Sequence, residues 1–185
     1  MKFRAFISFD LGALPELVEI ENSIKDTKAD LKLVEPENIH LTLKFLGDTD
    51  ESIVDDTENI MRKVIEGIEP FEIVLKGLGV FPNLNYMRVI WVGIENAERL
   101  AKIAKRLDIE LERLEFKREK RKFSPHITLG RVKSQRNKEL LQHLLKENVK
   151  GEFTRVVVDN IRLKKSILTS KGPEYTTVRE VRFEQ

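Results

Sequence analysis

A chain of 185 residues makes one domain, or one domain assembled from two similar lobes, and at this size folding hides about 70% of the surface without staples. It has no Cys, which excludes disulfides, thiolate nucleophiles and Cys-type zinc sites and suits a reducing compartment. Charged residues make up 35% of it with a net charge of only +2, against a usual share of about 25%, so the whole molecule is no magnet for polyanions and any nucleic-acid contact must be local.

Abundant Lys and Glu beside only three Gln is the composition expected of a thermophile. The N-terminus, MKFRAFISFDLG, is apolar but broken by Arg4 and Asp10, unlike a secretory leader or a membrane span; the expected location is the cytoplasm. RAFISF, from Arg4, reads as a strand. Leu14, Leu17, Val18 and Ile24 then keep helical spacing, with Pro15 in the first turn. NIHLTL, Asn38 to Leu43, alternates as a strand. Ile53, Thr57, Ile60, Met61, Val64 and Ile65 stripe a second helix, and PFEIVLKGL is a closing strand. GLGVFPN (Gly77 to Asn83) has two glycines but neither the Lys nor the Ser/Thr of a phosphate loop, and is expected to turn the chain between lobes.

The same order then returns. RVIWVGI, from Arg88, is a strand, and Ala97, Leu100, Ala101, Ala104, Leu107, Leu111 and Leu114 stripe a helix. SPHITLG (Ser124 to Gly130) is a strand, Leu140, Leu141, Leu144 and Leu145 stripe a helix, and EFTRVVVDNIRL closes the unit. IRLKKSIL, a turn at Ser170–Pro173 and YTTVREVRF form a C-terminal hairpin over 161–183. The chain therefore reads β-α-β-α-β twice, at Arg4–Leu78 and Arg88–Leu163, within one domain of residues 1–185. Each helix has one apolar stripe. The expected fold is α+β: two pseudo-symmetric lobes, antiparallel sheets facing a central cleft, helices outside.

Two of the three histidines occupy one frame: His, apolar, Thr, apolar. Side chains alternate along a strand, so Ile39, Leu41 and Leu43 bury while His40 and Thr42 share the other face; Ile127 and Leu129 leave His126 and Thr128 likewise. If the lobes pack as a pair, two imidazoles and two hydroxyls converge. Imidazole, with an unperturbed pKa of about 6.5, gives or takes a proton near neutrality, and a threonine hydroxyl donates to an anionic oxygen. Such a set fits a phosphodiester better than an ester or peptide.

HLTL and HITL in a duplicated α+β chain resemble the 2H phosphoesterase superfamily, and within it the bacterial and archaeal RNA 2',3'-cyclic phosphodiesterases, also called 2'-5' RNA ligases. HLTLKFLG, SPHITLGR, GLGVFPN and GPEY support the resemblance, which spans essentially the whole chain. It implies His40 as proton donor, His126 as proton acceptor and Thr42 and Thr128 as phosphate binders. Arg131 matches a basic residue that follows the second motif; on an ideal strand it lies off the His/Thr face, and a bulge or its length would have to bring it round. Its counterpart is Phe45. The implied activity is hydrolysis of 2',3'-cyclic phosphate RNA ends, tRNA fragments included, to 2'-phosphomonoesters by a monomer, without metal or cofactor. Alternatives are 2'-5' ligation to a 5'-hydroxyl end, hydrolysis of another cyclic phosphate such as a cyclic ADP-ribose phosphate, and a non-catalytic RNA-binding module.

His143 lies outside both motifs and is expected on a helix surface. With no His-x-His pair and no Cys, no metal site is expected. KREKRK, Lys117 to Lys122, puts five cations in six residues just before the second motif. It is either a solvated loop or an RNA-backbone contact.

Overall fold

The computed structural model describes residues 1–170 and 172–184. Its elements are β1 (Lys2–Asp10), α1 (Pro15–Asp26), β2 (Leu31–Leu33), β3 (His40–Asp50), α2 (Val54–Ile65), β4 (Phe71–Asn83), β5 (Tyr86–Glu95), α3 (Glu98–Glu110), β6 (His126–Val132), α4 (Lys138–Glu147), β7 (Glu152–Val158), β8 (Asn160–Thr169) and β9 (Gly172–Arg182). All strands join one antiparallel sheet, in the order β7-β4-β5-β6-β3-β1-β8-β9, with β2 also on β6. Helix stripes and inward strand residues bury together: Leu17, Ile24, Met61, Leu100, Leu107 and Leu141 pack in one core with Ile7, Leu41, Ile90 and Ile127. Among the described residues no helix is long and apolar enough to cross a membrane.

Three details depart from the sequence reading. EFTRVVVDNIRL is not one strand: it breaks at Asp159, where the backbone carbonyl accepts from Phe183 N–H at 2.8 Å and the carboxylate accepts from Asn160 Nδ2 at 2.6 Å. This polar pair lets β7 and β8 part to opposite ends of the sheet. GLGVFPN is not itself the turn between the units; it is the second half of β4. Asn83 Oδ1 accepts from the amides of Asn85 and Tyr86, both at 3.0 Å, and closes a tight hairpin into β5. One of its glycines serves close approach, since a Cβ at Gly79 would lie 2.1 Å from the Trp91 ring. The short β2 had no sequence signal. The turn expected at Ser170–Pro173 includes Lys171, which lies outside the described residues; β9 already begins at Gly172.

The two units trade parts. β4, which closes the first unit, pairs with β5 of the second; β8, after the second unit's last helix, pairs with β1 of the first. Helices trade likewise: α1 packs on α4 and β7, and α2 packs on α3 and β9. The motif strands β3 and β6 are left as neighbours in the middle of the sheet.

Candidate active site

Both motif strands begin at their histidine, and both rings are held alike. Nδ1 of His40 donates to the carbonyl of Asn38 and Nδ1 of His126 to that of Ser124, each at 2.7 Å. A carbonyl only accepts, so the ring proton sits on Nδ1, and Nε2 is the ring nitrogen not used in this hydrogen bond.

β3 and β6 meet through the antiparallel pair Leu41–Ile127, both buried against the helices. Their neighbours His40, Thr42, His126 and Thr128 therefore share the helix-free face, each half-buried. Continued by one residue in either direction, that antiparallel register sets His40 across from Thr128 and Thr42 across from His126. The imidazoles stand on the diagonal of that register, where neighbouring residues are about 7–8 Å apart and their Cβ atoms somewhat closer. The structure thus brings the four motif side chains together.

Arg131 joins them through a bulge that occurs twice. Ser8 pairs with Thr42 and Ile7 with Lys44, leaving Leu43 unpaired; Trp91 pairs with Thr128 and Ile90 with Gly130, leaving Leu129 unpaired. Each extra residue shifts the alternation by one. Lys44 consequently points to the helices, where Nζ lies 2.7 Å from Asp108 of α3. Phe45 and Arg131 return to the motif face. Phe45 is 67% exposed, and the Arg131 charge reaches the Tyr175 hydroxyl.

Aromatic rings wall the site. Phe6 lies 4.9 Å from the His40 ring and Tyr175 meets it edge-on at 5.2 Å. Phe81 meets His126 edge-on at 5.1 Å, with Trp91 at 6.4 Å. Burial raises the Tyr175 hydroxyl above its ordinary value against the pull of Arg131.

The electrostatics are not symmetric. Across β1–β3 the partner of His40 is Asp10; across β5–β6 the partner of His126 is Gly93. Asp10 accepts from Ser8 Oγ at 2.8 Å, Arg162 Nη1 at 3.0 Å and Lys164 Nζ at 2.5 Å. Burial pushes its carboxyl up, but the hydrogen bonds from Lys164, Ser8 and Arg162 and the Lys164 charge leave it below the usual carboxylate range. Burial pushes the His40 imidazole below its ordinary value; the Asn38 carbonyl and the Asp10 charge oppose that, and Lys164 adds to it. Asp10, Arg162 and Lys164 were missed from sequence. The parity of β1 could have flagged Asp10, since it shares a face with Ser8 and Phe6, but nothing local announces that β8 comes to lie beside β1.

His143 sits on the exposed side of α4, 3.2 Å from Glu147 one turn on, outside both motifs. Among the described residues no three His, Cys, Asp or Glu side chains gather in a group able to hold a metal ion.

Residues 12–91 and again 92–175 match the family described as LigT like Phosphoesterase. The chain belongs to the LigT-like phosphoesterase family. This LigT-like phosphoesterase is 42% identical over 185 residues to the RNA 2',3'-cyclic phosphodiesterase of Methanothermobacter thermautotrophicus, covering 99% of this chain and 100% of the relative. It is 40% identical over 167 residues to the Aeropyrum pernix protein of the same name, covering 90% and 94%. Among solved structures, a Thermus thermophilus protein superposes with a TM-score of 0.81 at 28% identity, covering 97% of both chains. E. coli LigT shares the fold, with a TM-score of 0.73 at 23% identity over the full length of both.

Proposed function

We propose that this chain hydrolyses the 2',3'-cyclic phosphodiester at the 3' end of RNA and leaves a 2'-phosphomonoester. The observation that carries the reading is the matched pair of imidazoles, each locked through Nδ1, on adjacent strands that meet at Leu41–Ile127. The relatives' shared name supports the substrate.

In this mechanism Nε2 of His126 takes a proton from water as its oxygen attacks phosphorus. The P–O3' bond breaks, and His40, as imidazolium, gives its Nε2 proton to O3'. Thr42 and Thr128 donate to the phosphoryl oxygens, whose charge grows in the transition state, and Arg131 balances that charge. Asp10 favours the imidazolium of His40 against burial and Lys164, which together still leave the ring below its ordinary value; the choice of His40 as the acid follows the resemblance of its motif to the family's first histidine motif. Exposed Phe45, on the same face, offers a ring on which the terminal base can stack. The two imidazoles cover both proton transfers, so the reading assigns no step to a metal.

The test is an RNA oligonucleotide ending in a 2',3'-cyclic phosphate, with products resolved by phosphorus NMR. In-line attack opposite O3' leaves phosphate on O2' alone. No turnover, or a 3'-phosphate among the products, overturns the assignment. Joined product with a 5'-hydroxyl acceptor, in place of hydrolysis, replaces it with ligation.

A further inference from the structure

The basic run before the second motif is divided by the fold. Its first three residues are tied down: the buried Lys44 Nζ donates to the Lys117 carbonyl at 2.7 Å and to Asp108 Oδ1 at 2.7 Å. The same Asp108 oxygen accepts the Glu119 amide at 2.8 Å, and its other oxygen lies 3.5 Å from Arg118 Nε. Lys120, Arg121 and Lys122 are exposed, and no ion pair among the described residues takes them up. Three adjacent cations are thus left unneutralised on a loop whose base is clamped to α3 and to the back of the His40 strand.

The position of this loop is equally specific. Lys122 precedes His126 by four residues, so the chain allows at most about 14 Å between their Cα atoms. Lys122, Phe123, Ser124 and Pro125 help line a surface depression of about 720 Å³, and the carbonyl of Ser124 holds the His126 ring. Glu98 also lines this depression, as does Glu95, whose carboxylate is paired with Lys76 Nζ at 2.8 Å.

We infer that Lys120, Arg121 and Lys122 form a phosphate-tracking surface for the RNA nucleotides immediately upstream of the reacting end, independent of base sequence. The inference rests on the RNA substrate proposed above and adds where the rest of the strand runs. Each contacted phosphate releases condensed counterions, which makes the contact visible in salt dependence.

The experiment measures binding of a 12-nucleotide RNA ending in a 2'-phosphate, and of the corresponding dinucleotide, across a potassium chloride series. The triple variant Lys120→Ala, Arg121→Ala, Lys122→Ala should lower the slope of log affinity against log salt for the 12-mer by about 2, at about 0.7 per single-strand phosphate contact. Its preference for the 12-mer over the dinucleotide should collapse. The equal charge change Arg136→Ala, Lys146→Ala, Lys150→Ala, around α4, should leave slope and preference in place. An unchanged slope in the first variant, or an equal fall in the second, overturns the inference. Turnover of a dinucleotide 2',3'-cyclic phosphate by the unaltered protein separately tests the hydrolase reading, so the two can fail apart.

Discussion

His40 and His126 make the same Nδ1 hydrogen bond, so what separates them is the residue on the adjacent strand, Asp10 for one and Gly93 for the other. A positioned acid or base is worth about 10² to 10⁴ in rate. His40→Ala and His126→Ala should each lose that much in kcat, and the double variant less than the product of the two losses, because the pair acts as a unit; single-turnover rates measure both. The pH profile of kcat/KM should be a bell whose limbs belong to the coupled pair. The acid must be charged, and burial holds the free-enzyme His40 below its ordinary value. Activity should therefore fall on the alkaline side from below the ordinary imidazole value of about 6.5. Asp10→Asn removes the carboxylate that favours the imidazolium and takes from Lys164 its carboxylate partner, while Arg162 keeps Glu180 at 2.8 Å, so that limb should move further toward acid. A limb that stays put or moves to higher pH would show that Asp10 does not act through His40.

At the scale of the element, the paired bulge decides the site. The alternation of HLTL and HITL was legible from single residues, and it put both histidines and both threonines on one face. It could not place Arg131, because a bulge is set by the partner strand: Leu129 is extra only relative to Ile90 and Trp91, which lie about forty residues away in sequence. The same shift turns Lys44 inward, where its side chain is 1% exposed against Asp108. Removing one partner of a buried pair typically costs 3–5 kcal/mol. Lys44→Met should sit near the low end, about 3 kcal/mol, since Asp108 keeps Arg118 and the Glu119 amide. Urea unfolding of the variant checks it, and a loss under about 1 kcal/mol would mean that the Lys44–Asp108 contact anchors nothing.

Across the whole molecule, the repeat was readable because each stripe of Leu, Ile and Val reports its own helix or strand. Which strand lies beside which was not, because partner choice is made by packing between segments distant in sequence. Hence EFTRVVVDNIRL read as one strand, although Asp159 divides it between the two ends of the sheet. The trade of β4 for β8 has a practical result. Residues 1–84 and 85–185, made as separate chains, should each be left with an open sheet edge and an uncovered apolar face, and each should aggregate or stay unfolded by circular dichroism. Mixed during refolding, they should restore the native spectrum and activity, because the severed turn at Leu84–Asn85 carries neither motif. A lone half that folds as a stable monomer would contradict this. The interlock also reaches back to the duplication: a single unit, before it was doubled in one chain, could have completed this sheet only by clasping a second copy of itself, with one histidine contributed by each partner.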